Sequence, residues 1–96
     1  MRKNDVIQYL SHKKNDFKVK YGISQMIIFG SFAKDQQNTN SDLDLAIDTK
    51  ESDYFLLYDL KDEIEKELNL KVDLVRLRKR MNPYLKKRIL NEGSYV

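Results

Sequence analysis

The chain contains no cysteine, and only one of its 96 residues is a histidine. The missing thiols exclude a disulfide framework, a thiolate zinc site and a cysteine nucleophile. The sequence also has no secretory or membrane-spanning stretch and no low-complexity tract, so we expect a folded, cytoplasmic protein with no membrane role. Its length favours a single domain, residues 1–96, with a small core.

Acidic and basic residues are unevenly distributed, although the net charge is only +3. Residues 42–67 hold ten acids and three bases, whereas residues 71–88 hold eight bases and one acid. The basic C-terminal third could face a nucleotide's phosphates, an RNA or an acidic protein surface, or it could be a solvated face. Its bases are not interleaved with aromatic residues and carry no RNA-module signature, so we do not expect direct nucleic-acid binding.

A helix followed by two strands is expected in the first half of the chain. Asn4 or Asp5 can cap the helix, whose apolar residues recur at helical spacing until Gly22 stops it. Residues 23–29 are mostly apolar, which is typical of a strand covered on both faces. A helical turn at 31–34 and a polar loop at 35–40 then lead to a second strand at 42–47.

A helix, a strand and a last helix are expected in the second half. The first of these helices carries an apolar stripe, and residues 71–77 form a strand in which β-branched and charged residues alternate. The helices are bounded, in chain order, by Ser52 or Asp53, Asn69, Asn82–Pro83 and Gly93. The whole pattern predicts an α+β protein, a two-layer α/β arrangement in which helices pack on a small mixed β-sheet; the strand order stays open.

Three of the aromatic side chains and the single histidine are assigned to packing or to solvent. Tyr54, Phe55 and Tyr58 could stack on a base, but their helical spacing favours contacts with the core. His12 lies among charged residues of the first helix. We expect it to face solvent, with no role as a ligand or general base.

Three aspartates are spaced so that they can converge. Asp42 and Asp44 are separated by one residue in a β-prone segment, so they share one face of the strand. Asp73 is centred in another β-prone run, and the three carboxylates converge if that run is a neighbouring strand with Asp73 on the same side. Two carboxylates about 4 Å apart repel by about 4 kcal/mol at an effective dielectric constant near 20, so a cluster must protonate, separate or bind a cation. Hard oxygen ligands select Mg²⁺ or Mn²⁺, and the pattern therefore predicts a metal-dependent phosphate-transfer site.

The motifs around these aspartates closely resemble those of the minimal nucleotidyltransferases of the DNA polymerase β-like superfamily. The matching segments are Gly30-Ser31-Phe32-Ala33-Lys34, Ser41-Asp42-Leu43-Asp44-Leu45 and Val72-Asp73-Leu74-Val75. The likeness spans nearly the whole chain and implies a nucleotidyltransferase fold. It also implies that Asp42, Asp44 and Asp73 are the catalytic residues and bind two Mg²⁺ ions, with Mn²⁺ as an alternative. ATP is the implied substrate, pyrophosphate the leaving group, and Asp73 helps to prepare the attacking hydroxyl.

The same resemblance implies that Gly30, Ser31, Lys34 and Ser41 bind the nucleotide. A glycine permits close backbone approach, and the following amides and the Ser31 hydroxyl can donate to phosphate oxygens. Where the family usually has arginine and then glycine, this chain has Lys34 and Asp35. Phosphate contact is therefore expected through Lys34, and the added acid weakens binding unless it points away or assists a metal.

The resemblance further implies an antitoxin. Members of this class are commonly encoded beside a HEPN-type RNase toxin, and some transfer AMP from ATP to a tyrosine of that partner. We therefore expect a cognate HEPN toxin as partner, and a homodimer or hetero-oligomer as the assembly. Two alternatives stay open: a non-catalytic antitoxin that occludes its toxin through the basic C-terminal third, and nucleotidyl transfer to a small molecule such as an aminoglycoside.

Overall fold

The computed structural model describes residues 1–51 and 53–96, which form three helices and four strands. In chain order these elements are α1 (Lys3–Tyr21), β1 (Ile23–Phe29), β2 (Leu43–Thr49), α2 (Tyr54–Leu68), β3 (Val72–Arg76), α3 (Pro83–Glu92) and β4 (Ser94–Tyr95). The predicted order of three helices and three longer strands is confirmed. Within the described residues, no helix is both long and apolar enough to cross a membrane.

The four strands form one mixed sheet in the order β3-β2-β1-β4. β1 is antiparallel to both β2 and β4, whereas β2 and β3 run parallel, so the predicted mixed sheet is confirmed. The two-residue β4, which pairs with Ile27 and Ile28, was not predicted. It is too short to show any periodicity in the sequence, and the glycine before it indicates only the end of a helix.

The two faces of the sheet are covered to different extents. The first face packs against α1 and α2 in a large core that includes Met26, Ile28 and Leu45. The second face carries a smaller cluster of Ile27, Phe29, Ala46 and Ile89, in which α3 supplies the last residue. Because alternate residues of β1 enter different clusters, its apolar run is buried on both faces, as the sequence predicts.

The first helix begins earlier than predicted. Its N-cap is Arg2, and neither Asn4 nor Asp5 occupies that position. Asp5 lies in the first turn, where its carboxylate accepts a hydrogen bond from the Arg2 backbone N–H at 2.9 Å. Asp5 is therefore the N3 residue of a capping box, whose side chain accepts from the backbone of the N-cap residue. The predicted stop is confirmed, since Gly22 has a left-handed φ of 66°.

The second and third helices are bounded largely as predicted. Asp53 caps α2 by accepting from the Phe55 N–H at 2.9 Å, whereas Ser52, the other candidate, lies outside the described residues. Asn69 ends α2 in the left-handed region, with φ 53°. The predicted apolar stripe is buried in full: Leu57, Leu60, Ile64 and Leu68. At α3 the Asn82 side chain accepts from two backbone N–H groups, and Gly93 follows as the C-cap.

Two strand boundaries shift relative to prediction. β2 begins at Leu43, one residue later than expected, and extends to Thr49. Asp42 therefore precedes the strand. β3 covers Val72–Arg76, inside the predicted range of 71–77.

Candidate active site

Asp44 and Asp73 are brought side by side by the parallel pairing of β2 and β3. They are register partners, and so are Ala46 and Val75 two residues further along each strand. Since Ala46 belongs to the smaller core cluster and residues i and i+2 share a face, both aspartates lie on the face that α3 covers only in part. Asp44 is half-buried and Asp73 is exposed.

The charges of the three predicted aspartates act on one another. Burial raises the pKa of the Asp44 carboxyl, the negative charges of Asp73 and then Asp42 raise it further, and Arg88 opposes them. Asp42 is exposed and lies just before β2. Within the part of the chain that the structure describes, no group of three or more His, Cys, Asp or Glu side chains is arranged to hold a metal ion. The metal-ligand assignment therefore stays a prediction.

Gly30 lies directly against Asp44. It follows Phe29, the antiparallel partner of Asp44, and has a φ of 71°, a conformation that favours glycine. A Cβ atom built at this position would collide with the Asp44 Oδ2 atom. The sequence predicts a glycine here so that a phosphate can approach the backbone. In the structure the Asp44 carboxylate already makes such an approach, so Asp44 can occupy its position only because residue 30 has no side chain.

Ser31 opens a tight turn after β1. The Gln36 N–H donates to the Ser31 carbonyl at 2.9 Å, and the Asp35 N–H donates to the Phe32 carbonyl at 3.2 Å. Phe32 and Ala33 are buried in the larger core, which anchors the turn. The segment is a turn of the chain, as predicted, and it does not continue into a helix.

Lys34 faces the end of α3. Its Nζ lies 3.9 Å from Glu92 Oε2, and the same carboxylate lies 3.7 Å from Arg88 Nε. Arg88 is the cation that opposes the raised pKa of Asp44. Sequence reasoning counted Arg88 only as part of a basic segment, because the pattern does not tell which strands a helix will cover. Its one signal is its position next to Ile89, the buried residue of α3.

Asp35 points toward the start of α1. Its carboxylate accepts from Gln37 Nε2 at 3.1 Å and from the Lys3 N–H at 3.4 Å, and it forms an ion pair with Arg2 at 3.5 Å. The hydrogen bond from Gln37, followed by that from Lys3, holds the pKa of this exposed carboxyl below its usual value. The backbone of Asp35 has a φ of 54°, which lies in the left-handed region. The backbone therefore keeps a conformation that favours glycine, while the side chain contacts α1.

Ser41 closes the turn that leads into β2. Its Oγ accepts from the Asn38 N–H at 3.0 Å, and its own N–H donates to the Asn38 carbonyl at 3.1 Å. This turn sets the position from which Asp42 emerges. The predicted nucleotide contact of Ser41 stays a prediction.

The prediction that three aromatic residues of α2 pack in the core is wrong. Tyr54, Phe55 and Tyr58 are 78%, 84% and 65% exposed. The buried stripe of α2 is centred on Leu57 and Leu60, and at 100° per residue the three aromatic positions lie beside or opposite that stripe. His12 is exposed on α1, as expected.

Three helices on a mixed sheet, with paired aspartates on neighbouring strands beside a glycine-serine turn, define a minimal nucleotidyltransferase. The sequence matches the family described as Polymerase beta, Nucleotidyltransferase, over residues 4–96. It is also 35% identical over 94 residues to the MJ0128 protein of Methanocaldococcus jannaschii, which carries a provisional protein adenylyltransferase name; the match covers 97% of this chain and 96% of that relative. The chain belongs to the polymerase beta nucleotidyltransferase family.

Solved structures share this fold. One provisionally described as a minimal nucleotidyltransferase has a TM-score of 0.81 at 24% identity, covering 98% of this chain and 95% of its own. A toxin-antitoxin structure with AMP-PNP has a TM-score of 0.74 at 26% identity, covering 99% and 72%. A tri-AMPylated Shewanella oneidensis HEPN toxin in complex with an MNT antitoxin has a TM-score of 0.64 at 23% identity, covering 97% and 67%.

Proposed function

We propose that this chain is an antitoxin that transfers AMP from ATP to a tyrosine hydroxyl of a cognate HEPN-type toxin, with residues 1–96 acting as one minimal nucleotidyltransferase domain. The protein adenylyltransferase name of the 35%-identical relative supports AMP as the transferred group. The AMP-PNP bound in a toxin-antitoxin structure of the same fold supports a nucleoside triphosphate as donor. The observation that carries the proposal is the register pair of Asp44 and Asp73, in which Asp44 lies against Gly30.

The donor set fits divalent cations. Asp42, Asp44 and Asp73 offer only carboxylate oxygens, the ligands that Mg²⁺ and Mn²⁺ prefer. Their repulsion contributes to the raised pKa of Asp44, and a cation would relieve it. These three residues would hold two Mg²⁺ ions. When bound, such ions offset the negative charge that builds on the attacking and leaving oxygens.

The residues of the chain divide the remaining work of the reaction. The Gly30–Ser31 backbone and the Ser31 hydroxyl donate to phosphate oxygens, Lys34 adds a positive charge once the polyphosphate displaces Glu92, and Ser41 completes the nucleotide contacts. Asp73, which is exposed, accepts the proton of the incoming hydroxyl. The tyrosine oxygen then bonds to the α-phosphorus, the bond from that phosphorus to the bridging oxygen breaks, and pyrophosphate leaves.

The proposal is tested by incubating the chain and its co-expressed partner with ATP labelled on the α-phosphate. Label should appear on the partner, and Asp44→Asn should abolish transfer while the two proteins still associate. Asp48→Asn is the matched control, since Asp48 is an exposed residue of the same strand and its replacement removes the same charge. If the wild-type chain binds its partner but transfers no label, the enzymatic proposal fails.

The same pair of variants tests the non-catalytic alternative. An antitoxin that only occludes its partner should still protect cells when Asp44 is replaced by asparagine. An enzymatic antitoxin should lose protection with this variant and keep it with Asp48→Asn. Loss of protection by both variants to the same extent would contradict a specific role for Asp44.

A further inference from the structure

An apolar groove of about 640 Å³ lies beside β3, between the first turns of α2 and α3. Its apolar lining comes from β2, β3, α2 and α3, and includes Ile47, Leu57, Leu74, Val75 and Leu85. Val75 lies two residues beyond Asp73 on the same strand face. At about 3.3 Å per residue the groove therefore begins about 7 Å from the aspartates.

Exposed aromatic residues border this groove. Tyr54 and Tyr58 line it, and Phe55 is exposed on the same turn of α2. No burial within the fold accounts for these three side chains, each of which is at least 65% exposed. Clusters of exposed apolar surface with a polar rim mark binding sites more often than isolated exposed residues do. Aromatic residues are also enriched at the centres of protein interfaces.

The charged side chains that line the groove, among the described residues, are all positive. Among the described residues that line it are Lys61, Arg76 and Arg78, and none is a carboxylate. The Nε atom of Arg76 is buried and, within the described residues, donates no hydrogen bond. A buried donor without an acceptor is costly, so an acidic occupant would gain by supplying one.

The edge of the sheet is also open at this point. β3 is an outer strand. The Leu43 N–H donates to the Lys71 carbonyl and the Leu77 N–H donates to the Ile47 carbonyl, both at 2.8 Å. Because backbone groups alternate along a strand, odd-numbered residues of β3 bond to β2, while Leu74 and Arg76 present their N–H and C=O groups outward. An extended peptide can use such an edge for main-chain hydrogen bonds.

We propose that this groove docks an extended acidic segment of the protein that carries the acceptor hydroxyl, an inference that rests on the proposed transfer to a protein. The cations attract the acidic residues, the apolar floor receives alternate aliphatic or aromatic side chains, and the β3 edge pairs with the segment's backbone. A nucleic acid fits less well, because an apolar floor offers nothing to a sugar-phosphate backbone and the aromatic residues cluster on one helix instead of following a strand-length track. Docking here places the acceptor within reach of Asp73.

The test measures binding of a fluorescein-labelled copolymer of glutamate and tyrosine by anisotropy, in about 0.15 M salt to suppress long-range attraction. The groove variant is Lys61→Glu with Arg78→Glu. The matched control is Lys14→Glu with Lys18→Glu, which changes the net charge equally at exposed positions of α1. We expect about tenfold weaker binding for the groove variant and little change for the control. Circular dichroism checks that both variants fold. Equal weakening in both, or no binding to the wild-type chain, overturns the proposal.

Label transfer separates this inference from the proposed function. If the copolymer binds in the groove but receives no AMP, docking stands and the transfer proposal is weakened. If tyrosines are labelled equally well by the groove variant and the wild-type chain, transfer stands and docking is overturned. A single-stranded RNA that binds the wild-type chain more tightly than the copolymer, and loses binding in the groove variant, also overturns the inference in favour of nucleic acid. A tyrosine-free glutamate polymer that binds as tightly as the copolymer would overturn the apolar part of the inference.

Discussion

The two faces of the sheet show how one small fold separates stability from chemistry. The face under α1 and α2 buries a continuous core and is closed at its rim, where Glu63 accepts a hydrogen bond from the Tyr21 hydroxyl at 2.7 Å and pairs with Lys20 at 2.9 Å. The other face has one ten-residue helix and a cluster of four buried residues. Its uncovered end holds Asp44 and Asp73. The incomplete cover leaves Asp73 exposed and Asp44 half-buried, at the position where the proposed substrate would bind.

Replacing Asp73 on the open face should have the largest effect on activity. Asp73→Asn removes the proposed proton acceptor, so AMP transfer should fall about 10²-fold or more. The fold should be retained, because the side chain is exposed and its loss reduces the repulsion on Asp44. Initial rates of label transfer and urea midpoints measure the two effects. A large drop in the midpoint would show that the open face also contributes to stability.

Replacing a leucine on the covered face should instead have the largest effect on stability. Leu45 is fully buried in the larger core, so Leu45→Ala should lower the free energy of unfolding by about 2–5 kcal/mol. Leu85 on α3 packs only partly buried against the smaller cluster, so Leu85→Ala should cost at least about 1 kcal/mol less than that. Urea unfolding compares them. Equal losses would contradict the difference in cover between the two faces.

Gly30→Ala should affect both properties, because residue 30 joins the core strand to the site. A non-glycine residue at φ 71° costs about 1–2 kcal/mol, and the added Cβ also collides with Asp44. Gly22→Ala is the matched control: φ there is 66°, but the nearest atom lies 3.4 Å from the built Cβ. The collision should therefore appear as extra loss of stability and of transfer rate at residue 30.

A double-mutant cycle isolates that collision. In a chain that already carries Asp44→Ala, the clash is relieved, so Gly30→Ala should cost less than in the wild-type background. A coupling free energy of about 0.5–3 kcal/mol is typical of residues in contact. Additive losses would show that only backbone strain, and no contact with Asp44, makes glycine necessary at this position.

The frame of the fold could be predicted because its signals are local. Helix stops at Gly22 and Asn69, the buried run in β1 and the stripe of α2 each depend on backbone freedom or on spacing within one element. Strand geometry indicates that Asp73 can join Asp42 and Asp44 only if its strand is a neighbour, and the register of Asp44 with Asp73 could not be predicted because register is a long-range property. The position of Arg88 near Asp44 could not be predicted, because helix amphipathicity does not say which end of a sheet is covered.

The aromatic residues of α2 show the opposite limit. Helical spacing alone does not distinguish a buried stripe from an exposed one when both contain large apolar residues, so it places Tyr54, Phe55 and Tyr58 on the wrong side of α2. The centre of a protein interface is also enriched in aromatic residues, so composition alone does not distinguish it from a buried stripe. Only the packing of α2 on the sheet, which seats Leu57 and Leu60 inward, separates the two stripes.

The raised pKa of Asp44 predicts a small pH dependence of stability. Because the folded chain holds this proton more tightly than the unfolded chain, the unfolded state binds fewer protons between the ordinary value of 3.8 and the raised folded value. The free energy of unfolding contributed by Asp44 therefore falls as pH rises through that window, and the loss persists at neutral pH. Asp44→Asn should lack this loss.

The measurement is the difference in urea midpoint between the wild-type chain and Asp44→Asn across acidic and neutral pH. The variant should gain relative to the wild-type chain as pH rises. Asp35 has the opposite sign: its lowered pKa gives a contribution that is present at neutral pH and lost as pH falls through the folded value. A difference that does not vary with pH would contradict the electrostatic account of the site.

The smallest effect is expected at Asp35, where the chain departs from the usual glycine of its family. Asp35→Gly relaxes a left-handed residue but removes the contacts with Gln37 and Lys3, so the two changes oppose each other and the urea midpoint should hardly move. The transfer rate should change by less than about twofold, because the carboxylate is directed to α1 and not to the aspartates. Asp35→Asn, which keeps the side-chain shape without the charge, separates the two contributions. A severalfold gain in rate for both variants would show instead that the Asp35 carboxylate repels the triphosphate. The transfer rate at the open face would then depend on a residue outside the strands that carry the aspartates.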